Sequence, residues 1–125
     1  MPRVLVIEDD AQVRRMLRQT LEEAGCEVAE APDGDVGLQL FRQQPADVVI
    51  TDILMPEKEG IETIISLQRE FPHVEIIAIS GGGRLRKKDC LNWAAQLGTA
   101  RTFAKPLELN QLVEAVHELA SRAQA

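Results

Sequence analysis

The sequence predicts a doubly wound α/β fold, a five-stranded parallel sheet with five helices over its two faces. Five short apolar runs alternate with five stretches of helical period. Such alternation gives parallel strands whose right-handed crossovers lay helices across the sheet. The apolar runs are nearly unbroken, as in strands buried on both sides.

Each element has its own signal. The first strand covers 3–8, "RVLVIE". In 11–24, Val13, Met16, Leu17, Thr20 and Leu21 recur at three- and four-residue steps, with Asp10 able to cap the start and Gly25 to stop the end. The second strand is 26–31, "CEVAEA". Asp33 can cap a helix over 34–43, which carries Gly37, Leu40 and Phe41 inward and ends before Pro45. The third strand is 46–51, "ADVVIT". Helix 58–71 marks one face with Ile61, Ile64 and Ile65 and ends at Pro72. The fourth strand, 74–79, reads "VEIIAI". Helix 86–97 carries Cys90, Leu91, Ala94, Ala95 and Leu97, and Gly98 closes it. The fifth strand, 100–104, reads "ARTFA". The last helix, 107–122, aligns Leu109, Leu112, Val113, Val116 and Ala120. The strands are short and rich in β-branched residues, which separates them from helices.

The totals narrow the function classes. A chain of 125 residues suits one domain, here 1–125, with a core that needs no staples. A net charge of −6 argues against direct binding of nucleic acid by bulk charge. The basic run "RLRKK" at 84–88 reads as a solvated helix start, or as a patch for docking a partner. Cys26 and Cys90 form no CxxC pair and read as reduced thiols. The run in "MPRVLVIEDD" is too short for a signal peptide, and no segment approaches a membrane span. The expectation is a cytoplasmic protein without a membrane partner. His73 and His117 are isolated and expected at the surface, and Trp93 is expected to pack partly on its helix or to anchor a partner.

The strand ends carry the chemistry. In a parallel sheet the C-terminal ends share one edge, and ligands bind where the strand order reverses. The first strand runs into Glu8, Asp9 and Asp10, the third into Asp52, the fourth into Ser80 and three glycines, and the fifth into Lys105-Pro106. If the first and third strands are neighbours, Asp9 and Asp52 converge. Carboxylates that close resist joint ionisation, and a hard divalent cation such as Mg²⁺ removes the conflict. Lys105 would add a compact positive charge and Ser80 a hydroxyl donor, a set suited to a phosphoryl group. Taken singly, Asp9 or Asp52 could equally cap the following helix.

Four stretches, "VLVIEDD", "DVVITDILMPEKEG", "IIAISG" and "FAKP", resemble the receiver domain of bacterial two-component response regulators over the whole chain. The resemblance implies a flavodoxin-like strand order of 2-1-3-4-5. It implies that Asp52 accepts a phosphoryl group from a histidine kinase or phosphotransfer protein. It gives Glu8 and Asp9 the Mg²⁺ site, with Asp9 a direct ligand, Glu8 acting through water, and Leu54 contributing its backbone carbonyl. Lys105 would pair with the phosphoryl oxygens, Ser80 would be the switch hydroxyl, the Lys105–Pro106 bond would be cis, and Gly60 would serve the turn into the third helix. Ala11, Gln12, Val13 and Arg14 would begin the helix that meets the phosphotransfer partner. Such a protein is a signalling phosphoacceptor and not a turnover enzyme. It changes the affinity of a downstream protein target, as a monomer or weak dimer.

The chain departs from the family pattern at Thr102, where an aromatic ring is usual three residues before the lysine. Phe103 next to it is expected in the core. "GGGR" after Ser80 is also unusual, and Leu54 and Gly82 stand where the family tunes phosphate lifetime. Two further readings remain: the receiver of a longer transcriptional regulator or hybrid kinase, and a degenerate receiver that serves as a constitutive interaction module. An aspartyl phosphate-ester hydrolase would want a second acid two residues after Asp52, where Leu54 stands.

Overall fold

The structure, a computed structural model, describes residues 1–53, 59–80, 98–104 and 107–123. Strand β1 (Arg3–Ile7) leads to helix α1 (Ala11–Glu23), then β2 (Glu27–Ala31), α2 (Gly34–Gln43), β3 (Val48–Asp52), α3 (Glu59–Glu70), β4 (Glu75–Ser80), β5 (Arg101–Ala104) and α4 (Leu109–Ala123). The five strands form one parallel sheet in the order β2-β1-β3-β4-β5. That is the order implied by the family resemblance. The helix expected over 86–97, with Cys90, Trp93 and the "RLRKK" run, lies outside the described residues.

The sheet separates two cores because strand side chains alternate between faces. On one face Val4, Val6, Val48, Ile50, Ile77 and Ile79 meet Leu17 and Leu21 of α1 and Leu112, Val116 and Leu119 of α4. On the other, Leu5, Ile7, Val49 and Ile76 meet Phe41 of α2 and Ile64 and Leu67 of α3. Strand β3 is buried along its whole length. Each fully buried Leu or Ile contributes about 1.5–3 kcal/mol, and β4 alone buries three, Ile76, Ile77 and Ile79.

Helix ends follow their sequence signals. The side chain of Asp10 accepts hydrogen bonds from the backbone N–H of Gln12 and Val13, at 2.9 and 3.3 Å. Asp33 accepts one from Val36 at 2.9 Å. At the end of α1, Gly25 takes φ = +90°. The N–H of Gly25 donates to Glu22 and that of Cys26 to Leu21, both at 3.0 Å. This paired closure is the Schellman arrangement, in which glycine avoids the Cβ strain of a left-handed residue.

Two expectations fail. Met16 is 39% exposed and Ile65 is 37% exposed. A helix turns about 100° per residue, so the stripe centred on Leu17 and Leu21 leaves Met16 at its margin. In α3 the buried positions are Thr63, Ile64 and Leu67, and Ile65 falls on the far side of that arc. The third strand also begins two residues later and ends one later than the 46–51 expected, since Asp52 pairs in register with Ile79.

Candidate phosphoryl and cation site

The site lies where the sheet reverses its winding. From β1 the chain crosses to β2 on one side, while β3 lies on the other, which opens a crevice beyond the C-terminal ends of β1 and β3. Ile7 is in register with Thr51. Glu8 and Asp52, the next residues, therefore leave the two central strands side by side.

Glu8, Asp9 and Asp52 each bring a carboxylate oxygen to within 4.8 Å of the others. Glu8 and Asp52 are only 1% and 3% exposed, while Asp9 faces solvent. The backbone holds this geometry. Glu8 N–H donates to the Ala31 carbonyl at 3.1 Å, and Ile53 N–H to the Ile79 carbonyl at 2.9 Å. The Glu8 carboxylate accepts from Asp10 N–H at 3.3 Å.

Three acidic side chains packed this closely repel one another, and two of them are shielded from water. A hard divalent cation resolves that, because Mg²⁺ favours carboxylate oxygens together with several waters. The exposed flank at Asp9 leaves room for waters. The donor set thus fits Mg²⁺.

Of the remaining residues singled out in the sequence, Ser80 is the last residue of β4, beside the Asp52–Ile79 pair. Its side chain lies outside the described residues, as do Leu54, Gly82, Lys105 and Pro106. Strand β5 closes at Ala104, the residue before Lys105. Thr102 is in register with Ala78 and Phe103 with Ile79. Phe103 packs against the core shared by α1 and α4, as expected, and Thr102 takes the opposite face of the strand.

Sequence reasoning missed one participant. It placed Arg14 on the start of a partner-facing helix. In the structure Arg14 Nη1 donates to the Glu8 carbonyl at 2.7 Å, and Arg14 Nε lies 3.6 Å from a carboxylate oxygen of Glu30. An arginine one helical turn beyond an acid pair, with a glutamate late in the next strand, was the available signal.

His73 and His117 are exposed. Cys26 is buried as a free thiol. Among the described residues no helix is long and apolar enough to cross a membrane.

The family model of the response regulator receiver domain matches residues 4–117. The chain is 32% identical over 118 residues to the chemotaxis protein CheY of Thermotoga maritima, covering 94% of this chain and 96% of that one. It is 33% identical over 123 residues to the transcriptional regulatory protein PdtaR of Mycobacterium tuberculosis, covering 96% of this chain but 57% of that longer protein. A crystal structure of a response regulator receiver domain protein from Clostridium thermocellum superimposes with a TM-score of 0.89 at 28% identity, covering 99% of this chain and 98% of that one.

Proposed function

The chain belongs to the response regulator receiver family, and from that premise we propose that Asp52 is its phosphoacceptor. The observation that carries the reading is the meeting of Glu8, Asp9 and Asp52 at the end of the two central strands. One carboxylate oxygen of Asp52 attacks the phosphorus of a phosphohistidine on a histidine kinase or phosphotransfer protein. The P–N bond breaks, its electron pair stays with the imidazole, and an acyl phosphate forms on Asp52. Water later attacks the same phosphorus, the P–O bond to Asp52 breaks, and inorganic phosphate leaves as the carboxylate is regenerated.

Little covalent work falls to the protein, which positions groups and balances charge. Asp52 is suited to this because it ends a fully buried strand, paired on both sides. Glu8, Asp9, Asp52 and the Leu54 carbonyl would hold Mg²⁺, which when bound neutralises charge on the phosphoryl oxygens. The Lys105 ammonium pairs with a phosphoryl oxygen, and the Ser80 hydroxyl donates to another. Phosphorylation then alters the affinity of the surface for a downstream protein. The chain works in the cytoplasm as a single receiver domain, monomeric or weakly dimeric, alone or as the receiver of a longer regulator.

The test is intact mass after incubation with acetyl phosphate and Mg²⁺. A single phosphoryl adduct is expected, lost in Asp52→Asn. An unmodified protein under several small phosphodonors would favour the constitutive interaction module instead.

A further inference from the structure

We infer that Arg14 is the positioning residue of the cation site: it fixes the peptide unit between Glu8 and Asp9 and so sets the angle between their carboxylates. The inference rests on the reading of Glu8, Asp9 and Asp52 as a cation site.

The link between β1 and α1 is three residues long and carries both acids. Its first peptide group, Glu8 N–H, is tied to β2 through the Ala31 carbonyl. Its last residue, Asp10, is tied to the helix by its capping bonds and by its carbonyl, which accepts from Arg14 N–H at 2.9 Å. Between these anchors stands the Glu8 carbonyl, past the end of the strand ladder. It belongs to the same planar unit as the Asp9 N–H. Holding that carbonyl fixes ψ of Glu8 and φ of Asp9 together, the two torsions that orient one acid against the other.

The holder is a cation at 2.7 Å, in the range of strong charge-assisted bonds. The Arg14 side chain is only 20% exposed, so water competes weakly for it. Its guanidinium is aimed by Glu30 on β2, and Glu30 is gripped in turn by Arg18 at 2.7 Å. The chain Arg18–Glu30–Arg14–Glu8 carbonyl runs from the outer surface of α1 to the acid pair. Removing a group that orients metal ligands typically costs about 10–100-fold in metal affinity.

Two effects of Arg14 oppose each other, and their signs separate them. As a bare positive charge it would repel a divalent cation, so its removal would tighten binding. As the brace of the Glu8–Asp9 peptide it would favour binding, so its removal would loosen it. Glu30 offsets the charge, which leaves the brace as the larger effect.

The experiment is Mn²⁺ titration of the full chain, read by loss of the free-ion electron paramagnetic resonance signal, with Mg²⁺ competition. Arg14→Met is expected to weaken affinity by roughly tenfold, and Arg14→Lys, which keeps a charged donor, to recover most of it. Arg42→Met, which removes an exposed ion pair to Glu70 far from the brace, stays within about twofold. Should Arg14→Met fold poorly, Arg14→Gln against Arg14→Lys carries the same comparison. Unchanged or tighter binding in Arg14→Met or Arg14→Gln overturns the inference, as does an equal loss in Arg42→Met. Binding that survives Asp9→Asn shows that the cation sits elsewhere, and then the site reading falls with it.

Discussion

A methyl group placed on Gly37 would collide with the Cδ1 and Cγ1 atoms of Ile7, so α2 packs so closely on β1 that any side chain there would force Ile7 to move. Ile7 is the residue before the acid pair, and this close approach backs the strand end from the face opposite α1. Gly37→Ala should therefore destabilise the fold. The gain in helix propensity is about 1 kcal/mol, and overpacking costs about 1–3 kcal/mol. Urea unfolding is the check: a lower midpoint with an unchanged slope is expected, and a higher midpoint would mean that the helix simply shifts.

The proposed Mg²⁺ site gives a thermal prediction. A ligand that binds only the folded state stabilises by about 2.7 kcal/mol at a hundredfold excess over its Kd. Melting temperature should rise with Mg²⁺ and fall back with EDTA. Asp9→Asn should abolish the rise while leaving the metal-free protein at least as stable, since one of three crowded charges is gone. A rise that persists in Asp9→Asn would count against the site.

Arg42 and Glu70 join α2 to α3 through two parallel bonds, of 2.8 and 2.7 Å. Hydrogen bonding from Arg42 holds the Glu70 carboxyl below its ordinary value. A depressed folded pKa means the contribution is present above the unfolded value and is lost as pH falls through the folded one. The melting temperature of Arg42→Met should thus sit below wild type at neutral pH and converge with it in acid. Both groups are exposed, so the gap is small. A constant gap from neutral to acid pH would refute the assignment.

Burial pushes the Cys26 thiol up, and the residue sits under the closure of α1. In a Cys90→Ser background, Cys26 should react with a thiol reagent more than about tenfold slower than in the unfolded chain. Stability should also decline as pH rises past the ordinary thiol value of about 8.5, because the unfolded chain ionises first. Fast labelling of the folded protein would show that the end of α1 opens readily.

Gly25→Ala tests that closure directly. A left-handed backbone costs an L-residue about 1–2 kcal/mol, and nothing around Gly25 would clash with the added methyl. The loss should appear as a fall of that size in unfolding free energy, read as a lower urea midpoint at unchanged slope. A neutral result would mean that the turn after α1 relaxes to another conformation.

The sheet was legible because its signals are local and periodic. Val48, Val49 and Ile50 form an unbroken apolar run, and Asp10 and Asp33 stand one residue ahead of helical patterns. The convergence of Asp9 and Asp52 followed once β1 and β3 were taken as neighbours, which the register bears out. What escaped depends on reach across elements. Arg14 could have turned to solvent, and its bond to the Glu8 carbonyl is visible only with β2 in place to aim it. Gly37 looks like a weak helix residue until Ile7 is set against it. Met16 and Ile65 were misplaced because apolar identity was taken for facing, although isolated exposed apolar side chains are common.

The neighbour relation between β1 and β3 also sets a birth order for the site. During synthesis the β1-α1-β2 unit leaves the ribosome before β3, with Glu8 and Asp9 already made. Their partner Asp52 belongs to a strand translated only after α2, and it must slot in beside β1 on the side away from β2. A nascent chain that has not yet released β3 holds only part of the acid cluster, so whatever cation affinity the cluster carries arrives with the docking of that strand.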